Sequence, residues 1–184
     1  MYDLFGPQMD MPENMFGHYE NWPPDSITDE EKHTLLQVEV TLATTRGEIR
    51  IRVYPDHCPV HSANFVKLVQ DGYYDGLEFT SVENEKLCRI GKSDNSPAYS
   101  IPMEVNFNNI EGSVGAELDG DNPAVSSASE IYFSFTDRSC ISLDGKRTVF
   151  GRVVSGREVI KAIRQGEDKV LIAKADIPWT SPAL

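Results

Sequence analysis

The residue types that most often carry out chemistry are few in this chain, and they form no local motif. The three cysteines are odd in number and show no paired spacing: Cys58, Cys88 and Cys140. This pattern argues against both a disulfide framework and a zinc site. The histidines all lie within the first 61 residues, and we interpret them as surface or helix-start residues: His18, His33, His57 and His61. We therefore expect neither a metal ion nor a cofactor.

The sequence motifs of common catalytic sites are also absent. There is no Ser-His-Asp order, no Cys-His pairing, no glycine-rich phosphate loop and no nucleotide fingerprint. The pattern Gly-x-x-Gly at Gly112 to Gly115 lies in a predicted strand and indicates nothing further. Any active site must therefore be assembled from residues that are distant in sequence, so the elements that position them come first.

Length and charge limit the classes of protein and partner. A chain of 184 residues suits one well-buried core. The formal net charge is −12, of which residues 1–31 contribute −8, because they contain eight acidic side chains and no Lys or Arg. Phosphates of nucleic acids and anionic membrane surfaces should repel such a chain, so we predict neither as a partner. No apolar run approaches the roughly 20 residues that span a bilayer, and with reduced cysteines a cytoplasmic location is the simplest prediction.

Alternation of apolar and polar residues predicts a chain dominated by strands. Residues 38–42 and 49–53 alternate, and Thr45 to Gly47 supplies a hairpin turn between them. Pro59 suits the start of a helix with an apolar face, and Ser155-Gly156 precedes a second helix. Further strands are predicted at 113–116, 130–135, 148–154 and 169–177, with an irregular excursion at 92–111 and a loop at 119–127.

The most informative stretch runs from Gly72 to Gly91. Within it, Asp75-Gly76 is a strong turn dipeptide, and we predict a strand after this turn and an arm of the chain that follows the strand. Together with Asn64-Phe65, Leu68-Val69 and Phe79 this stretch resembles the cyclophilins, a family of prolyl isomerases. A second block, Leu143 to Lys146 followed by Thr148 to Val153, resembles the late barrel strand of that family. The resemblance covers roughly residues 36–177 and implies a mainly β fold, a closed eight-stranded antiparallel β-barrel capped by two α-helices.

An extension precedes the predicted barrel. We divide the chain into an acidic, aromatic and proline-containing extension at 1–33, the barrel domain at 34–178 and a tail at 179–184. The aromatic residues of the extension argue against a solvated, disordered segment: Tyr2, Phe5, Phe16, Tyr19 and Trp22. We favour an extension that packs along its own barrel, and the alternative is a docking segment whose aromatic residues anchor a partner. Thr28 with Glu31 fits a capping box, which predicts a helix from about Asp29.

The chemistry that the resemblance implies is rotation about the peptide bond before proline, over a barrier of roughly 18 to 20 kcal/mol. A pocket holds the proline ring, and a cationic donor draws the amide nitrogen out of resonance. In cyclophilins this donor is an arginine within Phe-His-Arg, and the matching residues here are Phe79-Thr80-Ser81. Removing one preorganised donor typically lowers the rate by about a hundred- to a thousand-fold, so Ser81 predicts a severe loss of activity.

The other groove positions also depart from the family pattern. Lys86 stands where the proline pocket has a phenylalanine, Arg89 replaces a glutamine, and Arg147 corresponds to a histidine or tyrosine. Glu117 replaces a small residue and Glu130 a glutamine. The positions without charge are Leu87 at a methionine, Tyr132 at a phenylalanine, Ser142 at a tryptophan, and Leu143. Only Tyr132 and Leu143 remain as expected pocket walls.

Two interpretations of these charges stay open. In one, a barrel released from catalysis has accumulated charge on a solvent-facing groove. In the other, Lys86, Arg89 and Arg147 face Glu117 and Glu130 across one concavity, where they fill the groove with salt bridges or bind a polar ligand.

Three functional hypotheses follow. The first is a cyclophilin-like protein with little or no isomerase activity that acts as a subunit binding a protein or a proline-containing peptide. The second is a weak or atypical isomerase, in which Arg89 or Arg147 reaches the place that Ser81 leaves empty. The third is a barrel repurposed as an enzyme on a small polar ligand, with Glu117 or Glu130 as acid or base and an arginine stabilising the developing anion.

Overall fold

A computed structural model describes residues 9–12, 14–104 and 107–178 of the chain. Within these ranges it contains ten β-strands, three α-helices and one short 3₁₀ turn at Ile141–Leu143. In chain order the elements are β1 (Met9–Asp10), α1 (Asp29–Gln37), β2 (Glu39–Thr44), β3 (Gly47–Val53), α2 (Pro59–Gln70), β4 (Ser81–Glu83), β5 (Leu87–Ile90), β6 (Ser100–Pro102), β7 (Ser113–Leu118), β8 (Val125–Ser134), β9 (Thr148–Ser155), α3 (Arg157–Ala162) and β10 (Val170–Ile177).

All ten strands belong to one antiparallel sheet. Its order is β1-β10-β2-β3-β9-β7-β8-β5-β4, and β6 pairs with β8 beside this path. The segment before β4 returns to the start of β10, where Glu78 bridges Lys169. There the Phe79 amide donates to the Asp168 carbonyl at 3.0 Å, and the Val170 amide donates to the Leu77 carbonyl at 2.9 Å. The sheet therefore curls until its β4 end meets the beginning of β10.

The predicted mainly β, antiparallel fold is confirmed, together with the β2–β3 hairpin and helices α2 and α3. Three details differ from the sequence-based expectation. The strand and arm after Gly76 form two short strands, β4 and β5, that pair with each other. Strand β8 begins at Val125, inside the predicted loop, because its first residues pair with β6. Strand β6 itself lies in the predicted excursion, since it gains its order from long-range hydrogen bonds that local pattern does not show.

The core lies between the concave face of the sheet and helix α2. Alternate residues of β2 and β3 are fully buried, as the period of two predicts. They meet the buried face of α2, which includes Phe65, and aromatic residues from other strands, which include Phe133 and Phe150. The three cysteines are also buried and form no disulfide. His61 lies in the first turn of α2, but it is buried against Glu104 rather than at the surface.

The described part of the extension packs on its own domain. Phe16 and Ile27 are buried members of the main core, and the Trp22 indole donates to the Asn64 side-chain oxygen at 3.0 Å. The Tyr99 hydroxyl donates to the same oxygen at 2.6 Å. This arrangement agrees with the favoured interpretation of the extension. Tyr2 and Phe5, and the predicted tail at 179–184, lie outside the described residues.

Helix α1 begins as its sequence predicts. The Thr28 hydroxyl accepts from the Glu31 amide, and the Glu31 carboxylate accepts from the Thr28 amide, which completes the capping box. Glu31 also accepts a hydrogen bond of 2.6 Å from Tyr19 in the extension. Burial and this carboxylate raise the pKa of Tyr19 to about 12. No helix in the described ranges is both long and apolar enough to cross a membrane.

Asp168 ties three parts of the fold together beside β4. Its buried carboxylate accepts from Arg46 Nε at 2.9 Å and from the Thr45 hydroxyl at 2.8 Å, both in the β2–β3 turn. It also accepts from the Arg164 amide at 2.7 Å, after α3. Burial raises the pKa of Asp168, but these hydrogen bonds outweigh burial and leave the pKa below its ordinary value. The ionised carboxylate of Asp168 therefore fixes the chain just before β10, beside the segment that leads into β4.

We expect Asp168→Asn to lower the free energy of unfolding at pH 7 by about 1–3 kcal/mol, because a charged acceptor with three donors is lost. The folded state lowers the pKa of Asp168, so its contribution is present above the unfolded pKa and disappears as the pH falls through the folded pKa. The difference in unfolding free energy between the unaltered protein and Asp168→Asn should therefore shrink below about pH 4. Urea unfolding at pH 7 and pH 3 measures this, and a difference independent of pH would contradict it.

Candidate functional site: an ion-paired groove

The predicted groove residues lie along adjacent strands of one end of the sheet. Ser81 on β4 is opposite Arg89 on β5, and Arg89 is opposite Tyr132 on β8. Tyr132 is in turn opposite Gly115 on β7. The register of these antiparallel strands thus brings residues that are up to 51 positions apart into one row. The turn Asn84 to Lys86 closes the β4–β5 hairpin, with Glu85 at a φ of 60°.

Arg89 is the centre of this row. Its Nε donates to Glu117 at 2.8 Å, and one terminal nitrogen donates to Glu83 at 2.7 Å and to the Ser81 hydroxyl at 3.2 Å. Only 19% of the Arg89 side chain is exposed. Burial lowers the pKa of Arg89, but the hydrogen bonds and charges of Glu117 and Glu83 outweigh burial and raise it. The guanidinium group is therefore held charged and in one orientation.

Glu117 joins Arg89 to a second arginine. Its other carboxylate oxygen accepts from Arg147 Nε at 3.1 Å, and its side chain is 10% exposed. At the other end of the row, Glu83 also accepts from Lys86 at 3.2 Å. The hydrogen bond from Arg89 lowers the pKa of Glu83 most strongly, and Lys86 lowers it further. We call this continuous row of charges, Lys86–Glu83–Arg89–Glu117–Arg147, the groove ion-pair row.

Glu130 stays outside the groove ion-pair row, although the sequence placed it with the other charges. It is half-buried, and among the described residues its carboxylate makes no hydrogen bond or ion pair. Burial raises the pKa of Glu130, and repulsion from Glu117 raises it further, while Lys92 and Arg89 oppose the rise. Glu130 therefore takes up a proton at a higher pH than an ordinary glutamate does.

The expected apolar pocket is closed by its own side chains. Tyr132 is fully buried and donates to the Asn109 side-chain oxygen at 2.6 Å. Its ring lies over Gly115, where a Cβ atom would approach ring carbon Cζ to 2.2 Å, so this position requires glycine. Tyr132 packs with Leu87 and Cys140, which are also fully buried. Burial raises the pKa of the Tyr132 hydroxyl well above its ordinary value, so the group donates and stays neutral.

The remaining predicted wall residues lie at the mouth of the groove. Leu143 ends the 3₁₀ turn, is partly exposed, and packs against the buried cluster of Tyr132. Ser142 in the same turn is exposed. An open proline pocket needs an apolar floor that a ligand can reach. Here Tyr132 and Leu87 are covered, which leaves Leu143 as the accessible wall among the predicted residues.

Two residues of the groove were missed in the sequence. Glu83 was missed because the stretch was predicted as a strand and an arm, whereas the β4–β5 hairpin brings Glu83 back beside Arg89. Asn109 was missed because it lies in an irregular segment and meets Tyr132 only in three dimensions. Apolar residues on both sides of the polar segment Glu83 to Lys86, namely Val82 and Leu87-Cys88, were a signal for the hairpin. The described residues hold no group of three His, Cys, Asp or Glu side chains that could bind a metal.

Comparisons with known proteins agree with this architecture. Residues 38–178 match the family model described as cyclophilin type peptidyl-prolyl cis-trans isomerase. A peptidyl-prolyl cis-trans isomerase of Synechococcus elongatus is 33% identical over 143 residues, which cover 74% of this chain and 94% of that protein. An isomerase of Arabidopsis thaliana is 32% identical over 130 residues, covering 68% of this chain and 79% of its own length.

Solved structures show the same fold. A cyclophilin type isomerase of Cryptosporidium parvum, crystallised in the presence of the dipeptide Ala-Pro, superposes with a TM-score of 0.65 at 15% identity, over 78% of this chain and 99% of that one. The cyclophilin AquaCyp293 of Hirschia baltica superposes with a TM-score of 0.62 at 16% identity, over 81% and 80% of the two chains. By its sequence and by its fold, the chain belongs to the cyclophilin-type peptidyl-prolyl cis-trans isomerase family.

Proposed function

We propose that this cyclophilin-family protein has little or no prolyl isomerase activity and acts as a subunit that binds a protein or a proline-containing peptide. The observation that supports this proposal is the groove ion-pair row, most of whose residues stand at positions that the resemblance assigns to the substrate groove of the family. Ser81 adds to it, because a neutral hydroxyl replaces the cation that polarises the amide.

The free energy needed to separate these ion pairs supports a groove that stays closed to a peptide. A peptide entering it would have to separate Arg89 or Arg147 from Glu117, each of which is at least four-fifths buried. Breaking one partner away from a buried ion pair costs about 3–5 kcal/mol. A peptide of millimolar affinity gains only about 4 kcal/mol on binding. The opening cost therefore cancels the affinity that a typical short peptide brings.

The apolar part of the groove leads to the same conclusion. Burial of a proline ring drives recognition in an open pocket through the removal of apolar surface from water. Tyr132 and Leu87 are fully buried, so neither provides exposed apolar surface for a proline ring. A partner is therefore expected to bind outside the groove. Phe16 and Trp22 of the extension are also engaged within the domain, which argues against them as anchors for a partner.

A second candidate function, a weak or atypical isomerase, is favoured by one observation. A terminal nitrogen of Arg89 lies 3.2 Å from the Ser81 hydroxyl, so a guanidinium group reaches the position of the family arginine from the neighbouring strand. The relatives named above as isomerases, and the Cryptosporidium cyclophilin crystallised with Ala-Pro, also favour it. Against it, the same nitrogen is bound to Glu83 and the Arg89 Nε to Glu117.

The third hypothesis, a barrel repurposed as an enzyme on a small polar ligand, has less support. Both Glu117 oxygens accept hydrogen bonds from arginines, so neither is available to a substrate proton. Glu130 has the raised pKa of a general acid but no arginine within ion-pairing distance among the described residues. We further propose a cytoplasmic location and, from the acidic charge, no binding to nucleic acid or membranes.

Exchange between cis and trans forms of Ala-Pro peptides, followed by NMR, tests the proposed function. We expect no acceleration by the protein, and none by Ser81→Arg, because Arg89 and Glu117 still fill the groove. Clear acceleration by the unaltered protein would contradict the proposal. If Arg89→Leu then abolished that acceleration while the exposed control Arg138→Leu kept it, the atypical isomerase would be established instead.

Removal of the shared carboxylate tests whether the groove ion-pair row is structural. We expect Glu117→Gln to lower the free energy of unfolding by about 2–3 kcal/mol, because two partly buried arginines lose their charged acceptor. The matched control is Glu48→Gln, whose exposed pair with Arg50 at 3.5 Å should contribute less than about 1 kcal/mol.

Urea unfolding of both variants at pH 7 gives the comparison. Equal, small losses of unfolding free energy for Glu117→Gln and Glu48→Gln would show that the groove charges are an ordinary solvated surface. That outcome would support the interpretation that a barrel released from catalysis accumulated these charges.

A further inference from the structure

A second set of charged residues lies on the outer face of the sheet, away from the groove. Asp176 on β10 is opposite Glu39 on β2, and Glu39 pairs with Arg52 on β3 at 3.3 Å. Arg52 is opposite Arg152 on β9, which is in turn opposite Ser113 on β7. We call this line, Asp176–Glu39–Arg52–Arg152–Ser113, the outer row. Its two acids stand at one end and its two arginines at the other.

The arginine end of the outer row lacks a counter-charge. Like charges directly opposite each other on neighbouring strands destabilise a sheet. Glu39 compensates Arg52, but it is also shared with Arg50, at 3.6 Å. Among the described residues Arg152 has no ion-pair partner, and the strand beyond it offers only Ser113.

Arg152 is also partly desolvated. Its Nε is shielded from water and has no hydrogen-bond partner within the described ranges. A guanidinium group that loses water without gaining an acceptor is unfavourable. In a chain with a net charge of −12, carboxylates are abundant, yet none of the described ones pairs with this arginine. An acceptor from outside the domain would remove this penalty.

Aromatic side chains border the same place. Tyr54 follows β3, and its ring packs on Phe107 with 4.9 Å between the ring centroids. The Tyr54 amide donates to the Phe150 carbonyl at 2.8 Å, so the pairing of β3 and β9 continues past Arg52 and Arg152 to Tyr54. Residues two positions apart on a strand share a face, which puts Tyr54 on the face of Arg52. No hydrogen bond of the Tyr54 hydroxyl is formed with the described residues. The phenol is therefore available as a further donor beside the guanidinium groups.

We propose that Arg52, Arg152 and the Tyr54 hydroxyl form a binding site for an oxyanion, a phosphate or carboxylate group, on the outer face of the sheet. Planar guanidinium groups present paired N–H donors that match the oxygens of both groups. The site needs no opening of the groove, because none of its residues belongs to the groove ion-pair row, and it does not depend on whether the protein is an isomerase.

The test uses the full chain and two probes, inorganic phosphate and acetate, titrated at constant ionic strength against sodium chloride. The readout is the ¹H–¹⁵N resonance of Arg152 Nε, which is visible because this group is shielded from water. We expect a saturable shift with at least one oxyanion and none with chloride. Saturation by phosphate alone identifies a phosphate site, and saturation by acetate alone identifies a carboxylate site. Absence of a saturable shift with both would overturn the proposal.

Variants locate the site. We expect Arg152→Gln to weaken binding about tenfold or more, since one charge-assisted hydrogen bond contributes about 1.5–3 kcal/mol. The backbone amide of Ser113 reports this loss. Arg138→Gln removes an exposed arginine from another loop and should leave binding unchanged. Arg152→Lys keeps the charge, and its intermediate affinity would separate a specific guanidinium contact from general attraction. Equal weakening by Arg152→Gln and Arg138→Gln would also overturn the proposal.

Discussion

One carboxylate governs the groove of this protein. Glu117 lies between Arg89 and Arg147, with hydrogen bonds of 2.8 and 3.1 Å to their Nε atoms. None of the three charges can be left without a partner at this depth, because an unpaired, partly buried charge is several kcal/mol less stable than a solvated one. The carboxylate therefore fixes β5, β7 and the start of β9 relative to one another.

The rest of the fold is arranged so that this contact forms. Arg89 reaches Glu117 because the β4–β5 hairpin lies at the end of the sheet, and that end is held by the bonds between Leu77 to Phe79 and the start of β10. Asp168 secures the same junction through Arg46 and the amide of Arg164. Under the row of charges, Tyr132 fills the space over Gly115. The closed groove is thus a property of packing and pairing together, since neither the ion pairs nor the tyrosine would close it alone.

Much of this architecture could be predicted from local pattern. The β2–β3 hairpin follows from strict alternation, and α2 follows from Pro59 and its apolar face, because both signals are contained within a few residues. The position of Ser81 in the groove could also be predicted, because it lies two residues after Phe79, which matches the family pattern. The partners of each charge could not be predicted in the same way. Glu83 meets Arg89 only through a hairpin whose turn carries Glu85 at a left-handed φ without glycine. Glu130 makes no ion pair among the described residues, although it lies on β8 two positions before Tyr132.

Buried ion pairs are weak sources of stability, since well-packed apolar residues of similar volume often serve as well or better. A row of five charges is therefore poorly explained by stability alone. Random drift explains its three more buried members poorly too, because Arg89, Glu117 and Arg147, at 10–19% exposure, would each be costly without a partner. What the row supplies beyond stability is a fixed geometry, because hydrogen bonds hold Arg89, Glu117 and Arg147 in one arrangement at this end of the sheet. Fixed charges of this kind discriminate against any group whose own charge does not match them.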